Sequence, residues 1–177
     1  GHPFDDPSNK KAQGFSPCYD IAGNLLFQHS ADAGERWMLN DAAGKPMFAW
    51  DSRSHIFRTE YDKLHRTVRS YVTGANGDEP GIESLVERTI YGEQHPQAES
   101  LNLRGRVFKQ LDQAGVVTIE DYDFKGNLLS ATRALAREYK RAIDWSNIET
   151  VLPANTLDGL DLANLEVVLA PQLESET

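Results

Sequence analysis

Residues 19–26 read YDIAGNLL and residues 122–129 read YDFKGNLL, identical at six of eight positions. The pair belongs to a series. Asp-x-x-Gly recurs at Asp20–Gly23, Asp41–Gly44, Asp78–Gly81, Asp112–Gly115 and Asp123–Gly126, where chance placement gives about one occurrence. Related steps stand at Asp51–Ser54, Asp62–His65 and Asn102–Gly105, and the preceding residue is mostly aromatic or bulky: Tyr19, Trp50, Tyr61, Leu101, Leu111, Tyr122. The leading positions 19, 40, 50, 61, 101, 111 and 122 are separated by 21, 10, 11, 40, 10 and 11 residues, and Tyr71 and Tyr91 fall on the same grid inside the long gap. A chain with this period is built from a unit of 10 or 11 residues that doubles to 21.

Physical chemistry limits what such a unit can be. Asp at the first position and Gly at the fourth are the favoured ends of a type I turn: the carboxylate accepts backbone N–H groups inside the turn, and glycine takes the positive φ that follows. Between the turns lie short segments rich in strand formers, RWMLN, MFAW, HIFRTEY, RTVRSYV, RVFKQL and VVTIEDY. A six-residue strand plus a four-residue turn makes ten, and two of each make one step of an antiparallel hairpin meander. The strand faces are mixed. HIFRTEY sets Ile56, Arg58 and Glu60 against Phe57, Thr59 and Tyr61, and VVTIEDY sets Val117, Ile119 and Asp121 against Thr118, Glu120 and Tyr122. A sandwich strand reserves one face for a core. Amphiphilic residues on both faces suit a thin sheet wetted on each side. The expected fold is therefore mainly β, a meander of hairpins forming a curved sheet, with turns at 20–23, 41–44, 51–54, 62–65, 112–115 and 123–126.

The same residue types admit chemical readings, which the spacing disfavours. A retaining glycosidase needs two carboxyl groups about 5 Å apart, and calcium wants several oxygens in one loop, whereas each turn supplies one Asp. His2, His29, His55, His65 and His95 form no His-x-x-x-His or His-Glu-x-x-His pattern, and Cys18 is the single cysteine, which excludes an intramolecular disulfide and a cysteine-rich zinc site. There is no glycine-rich phosphate loop. Trp37, Trp50 and Trp145 with the tyrosines resemble a sugar-stacking set, but regularly spaced aromatics in a β repeat more often pack across strands. The reading is thus of no catalytic, cofactor-binding or metal-binding residues, no cofactor and no enzyme. A net charge of −9, from 27 acidic against 18 basic residues, disfavours nucleic acid as a partner. No apolar stretch approaches the roughly 20 residues of a membrane span.

Tyr-Asp-x-x-Gly-Asn-Leu-Leu on this grid resembles the YD (tyrosine-aspartate) repeats of Rhs-type proteins. Two longer stretches, AWDSRSHIFRTEYDKLHRTVRSYV and NLRGRVFKQLDQAGVVTIEDYDFKGNLLSATRALAREYKRAIDWS, are similar to the repeat region of bacterial Tc insecticidal toxin complexes, in their B and C components. The likeness covers roughly residues 15–148 and extends into the tail. It implies a β-sheet ribbon spiralling into a hollow shell that holds a toxic C-terminal segment until delivery, in a secreted or extracellular toxin complex. It also implies as partners the rest of the shell, the cargo polypeptide and other complex components. The family closes its shell with a core region that, in the C component, carries an Asp-dependent self-cleavage site. No Asp-Pro-x-Gly core motif occurs here, so the chain reads as an excerpt of the wall. The alternative is a module binding glycans or a cell-surface protein, as in extracellular YD-repeat proteins such as teneurins.

The ends differ from the repeats. Residues 1–14, opening with the cloning-remnant-like Gly1-His2, read as a disordered or extended lead, residues 15–130 as the repeat sheet, and residues 131–177 as a helical insertion or tail. Leu135, Tyr139 and Ala142 stand at helical spacing with Thr132 as N-cap, which predicts a helix over RALAREYKRA. Pro153 breaks the chain, and Leu165, Val168 and Leu169 predict a second helix stopped by Pro171. Residues 74–82 read as a loop between repeat blocks. A sheet cut from a longer array exposes unpaired edges, through which two copies are expected to form a homodimer.

Overall fold

In a computed structural model, residues 18–74, 81–152 and 161–174 are described; the lead 1–14, Asp78 of the Asp78–Gly81 step, most of loop 74–82 and Pro153 lie outside them. Ten antiparallel strands follow one another in spatial order β1 to β10, each hydrogen-bonded to its sequence neighbours. They are β1 Cys18–Tyr19, β2 Leu25–Ser30, β3 Gly34–Asn40, β4 Pro46–Asp51, β5 Ile56–Tyr61, β6 Thr67–Thr73, β7 Glu83–Tyr91, β8 Val107–Asp112, β9 Gly115–Tyr122 and β10 Leu128–Leu135. The repeat grid marks strand ends: Tyr19, Asn40, Tyr61, Tyr91 and Tyr122 each close a strand. This is the meander that the period predicts.

The chain divides into two compact units, residues 1–56 and 57–177. In the first, Phe27 pairs with Trp37 and Trp37 with Trp50 across three strands. The Phe27 and Trp37 rings lie 5.6 Å apart, and Phe48 stacks on Trp50 at 6.0 Å. Among its described residues only Ala49 is buried, so this unit is held by the ladder and by cross-strand aromatic pairs.

The second unit has a continuous core of Leu85, Ile90, Leu103, Phe108, Leu111 and Val116 from the sheet side, with Ile143, Trp145, Ile148, Leu152, Leu165 and Leu169 from the tail. Every residue of β5 is half-buried, consistent with a strand wetted on both faces. β7 and β8 are joined by residues 92–106, an irregular crossover with a short 3-10 turn at Gly92–Gln94, and not by a further strand and turn. The Asn102–Gly105 step sits inside this crossover. Asn102 and Gly105 do have positive φ, but Asn102 Nδ2 donates to the Tyr122 carbonyl at 2.7 Å and fastens the crossover to β9, not to a hairpin.

The tail corrects one expectation. No helix forms over RALAREYKRA: its first residues belong to β10, which runs to Leu135, so a boundary at 130 falls inside a strand. The Asp123 turn delivers this segment antiparallel to β9, and pairing from Leu128↔Tyr122 to Leu135↔Gly115 satisfies backbone groups that a helix would have bonded internally. Tertiary pairing overrides the propensity of Ala, Leu, Arg and Glu. The second helix is present as α1, Leu162–Leu169, capped by Asp161, whose side chain accepts from the Asn164 N–H; Pro171 lies in the 3-10 turn that ends it. The chain then returns to the sheet. Leu173 bridges Ala136 antiparallel, and Glu174 N–H donates to the Leu135 carbonyl at 2.9 Å.

Candidate functional site

The repeated turns share one construction. At Asp20, the Gly23 N–H donates to the Asp20 carbonyl at 3.0 Å, closing a type I turn, and Gly23 follows with φ +85°. Asp20 N–H then donates to the Asn24 carbonyl at 2.9 Å, which makes the unit a five-residue hairpin link with a bulge at the glycine. Carboxylate oxygen Oδ1 accepts from the Ala22 and Asn24 N–H groups at 2.9 and 2.8 Å, and Oδ2 accepts from Asn24 Nδ2 at 2.8 Å. The Asp51, Asp62 and Asp123 turns repeat this pattern. In place of glycine, Ser54 and His65 take φ +68° and +62°.

The fifth residue is the part that the Asp-x-x-Gly reading misses. Asn24, His55, Arg66 and Asn127 each turn a side-chain nitrogen onto the second oxygen of their Asp, at 2.7–2.8 Å. Its signal was the Asn common to YDIAGN and YDFKGN. A turn at Ser30–Gly34 was missed as well, because a serine hydroxyl replaces the carboxylate there, accepting from the Ala33 N–H. At Asp20 and Asp123 the side-chain amides of Asn24 and Asn127, helped by backbone N–H groups, hold the carboxyl below its usual range. Burial pushes the Asp51 and Asp62 carboxyls up, but hydrogen bonds from His55 and Arg66 outweigh it and both end lowered. These carboxylates are charged and fully engaged within their own turns, an arrangement suited to holding hairpins shut.

The other residues singled out by type are dispersed. His55 faces Asp51, His65 lies against the Tyr61 ring at 5.1 Å, and His95 lies against Phe108 at 4.7 Å, where burial lowers its pKa. Cys18 is exposed on β1, and His2 lies outside the described residues. Trp145 is 0% exposed, in the core and away from any surface. Among the described residues no three His, Cys, Asp or Glu side chains stand close enough to hold a metal ion, and no helix is long and apolar enough to cross a membrane.

A cluster of buried charge lies between the sheet of the second unit and its tail. Arg69 of β6 and Arg88 of β7 are directly opposite in register, both buried. Like charges so placed repel. Glu149, from the tail, divides its carboxylate between them, Oε2 at 2.5 Å from Arg69 Nη2 and Oε1 at 2.8 Å from Arg88 Nε. Glu60 of β5 reaches Arg69 at 3.3 Å. Burial, with the neighbouring Arg69 charge adding to it, pulls the Arg88 guanidinium below its usual range against the attraction of Glu149. A second tail acid, Glu166, meets buried Lys109 at 2.8 Å, and Lys109 also donates to Thr118 Oγ1. Around these pairs the tail is stitched to backbone: Trp145 N–H to the Leu85 carbonyl at 2.8 Å, Trp145 Nε1 to the Asp112 carbonyl at 3.1 Å, and Leu85 N–H to Asp144 Oδ1 at 2.9 Å. Neither a nucleophile with a base nor an open pair of acids emerges. The arrangement fixes one element onto another.

No protein-family model matches the chain. It is 26% identical over 160 residues to toxin subunit YenC2 of Yersinia entomophaga, a match covering 81% of this chain and 16% of that subunit. Its fold is similar to the crystal structure of TcdB2-TccC3, with a TM-score of 0.71 and 23% identity over 96% of this chain and 7% of the other. The structure of TcdB2-TccC3 without its hypervariable C-terminal region matches over the same 96% at a TM-score of 0.70, so the likeness does not depend on that region. The Tc holotoxin pore of Photorhabdus luminescens matches over 89% of this chain and 6% of its own, at a TM-score of 0.68 and 23% identity. The chain thus spans about a sixth of the curated relative's length and less of the solved chains. Sequence likeness to the toxin subunit and a fold shared with TcdB2-TccC3 together make this chain a homologue of Tc toxin B/C components.

Proposed function

We propose that the chain is a structural segment of a toxin-encapsulating YD-repeat shell, non-catalytic in itself, working by confinement of a cargo polypeptide. The observation that carries the reading is the match of nearly the whole meander to TcdB2-TccC3, retained when the hypervariable C-terminal region is missing. The turn chemistry supports it, since the repeated carboxylates close hairpins and offer no reacting pair. The partners are the rest of its own shell, the cargo and other components of a secreted toxin complex. Removing residues 83–135 from the longer polypeptide is expected to leave its C-terminal segment open to an added protease that the undeleted protein excludes. Equal protection of that segment in both proteins would sink the reading. The chain alone is expected to turn over neither glycans nor peptides. Reproducible turnover abolished by a single Asp substitution would make it an enzyme.

A further inference from the structure

The sheet of the second unit presents three buried cations to its tail, and two of them repel each other. Arg69 and Arg88 are paired across β6 and β7, 5% and 8% exposed, and Lys109 on β8 is 4% exposed. Inside the sheet, Arg69 has Glu60 of β5, and Arg88 donates to the Val68 and Thr89 carbonyls. Among the described residues the acid paired with Arg88 is Glu149 and the acid facing Lys109 is Glu166, both in the tail. Tyr71 of β6 is the other titratable side chain near Glu149, and it stacks on Arg58, itself paired with Glu83 and Glu60. A buried cation left without its anion is strongly disfavoured. The face therefore accepts this tail by charge as well as by the apolar fit of Trp145, Ile148, Leu165 and Leu169.

We propose that the tail, residues 143–152 with 161–169, is a strap that opens and closes over β6–β9 as a unit of its own, and that Glu149 is the positioning residue that keeps it closed. The β8–β9 hairpin contributes its own ladder from Lys109↔Thr118 to Asp112↔Gly115 and its own two-residue link, so its pairing does not run through the strap. The strap joins the sheet through side chains and a few backbone bonds at Leu85, Asp112 and Gln113. Glu149 is the one strap group that touches both arginines. With its charge removed, two guanidiniums face each other beneath the strap and favour the open state.

Hydrogen exchange followed by mass spectrometry on the full chain tests this. In Glu149→Gln, amides of 145–152 and 163–169 are expected to exchange about tenfold faster or more, while those of β8 and β9 keep wild-type rates. The triple variant Arg69→Met, Arg88→Met, Glu149→Met, which removes the repulsion with the key, is expected to return the strap to near wild-type protection. Unchanged strap exchange in Glu149→Gln would overturn the role of Glu149. Strap and sheet amides accelerating together, or a Glu149→Gln chain that does not fold, would show that the strap is no separate unit. Fast strap exchange persisting in the triple variant would mean that packing, not charge, holds it.

Discussion

At Asp62 one side chain does four jobs: Oδ1 takes the Leu64 and Arg66 N–H groups at 2.9 and 2.8 Å, and Oδ2 takes Arg66 Nε at 2.8 Å and Nη2 at 2.7 Å. Asp62→Ala leaves all of these donors seeking water and is expected to cost roughly 1–3 kcal/mol in chemical denaturation. Asp62→Asn keeps an acceptor for the backbone but loses the charge, and should fall between. The lowered carboxyls also fix how stability varies with pH. A carboxyl held lower in the folded than in the unfolded chain stabilises fully above the unfolded value, about 3.9, and that contribution is lost as pH falls through the folded value. Asp20, Asp51, Asp62 and Asp123 all shift this way. The denaturation midpoint of the wild type should therefore drop between pH 6 and pH 3, and drop less in Asp62→Asn. Glycines separate strain from crowding. Gly23 has φ +85° with nothing near a would-be Cβ, whereas a Cβ on Gly115, at φ +134°, would stand 2.1 Å from the Ala134 carbonyl oxygen. Gly23→Ala should cost about 1 kcal/mol, and Gly115→Ala clearly more. The Asp and Gly of each turn were readable from spacing alone. The fifth-position donor was not, because Asn, His and Arg share a role only once folding has brought each beside its carboxylate.

Among the elements, the strands were legible because a turn every 10 or 11 residues leaves room for little else. The tail was half legible. Leu165, Val168 and Leu169 predicted α1, but the same periodicity in RALAREYKRA was satisfied by accident in a segment committed to β10. Helical spacing in a short stretch records compatibility, and the Asp123 turn decides which partner the backbone meets first. What the sequence left open is where the tail lies: a helical insertion over a sheet edge or face was expected, but mixed strand faces pointed to no particular place, and it is Leu85, Leu111 and Val116 that lie under Trp145, Ile148 and α1. No local pattern announces a contact between β7 and a residue some sixty positions on. Trp145→Ala is accordingly expected to be among the costliest single changes, roughly 3–5 kcal/mol by denaturant melting, since it removes a fully buried ring and its bond to the Asp112 carbonyl. Trp37→Ala, in a unit with no comparable core, should cost less.

For the molecule as a whole, association is expected through the sheet edges. β10 is exposed along almost its entire length, with Leu128, Leu129 and Leu135 each more than half accessible, and has β9 as its strand neighbour. Leu173 and Glu174 occupy its edge near Leu135. An edge of this kind recruits another strand, while the net charge of −9 opposes runaway growth. Sedimentation velocity across a concentration series is expected to show a dimer that Leu129→Lys weakens; one monomeric species at the highest concentrations would mean that the edge is closed. The strand order carries a different consequence, for time and not for structure. Each strand pairs with the one made just before it, and the hairpin links at Asp20, Asp41, Asp51, Asp62 and Asp123 carry their own fastening within five residues, so little of the ladder waits on distant chain. Such topology favours fast, stepwise closure. A polypeptide emerging slowly from its N-terminus can zip hairpin by hairpin through β9 and β10, but the apolar side of β7, β8 and β9 must then stand open until Trp145 and Leu165 arrive. The hazardous interval in its synthesis is that short delay, and a pause in translation after residue 135 should be the point at which a nascent chain most readily captures a chaperone.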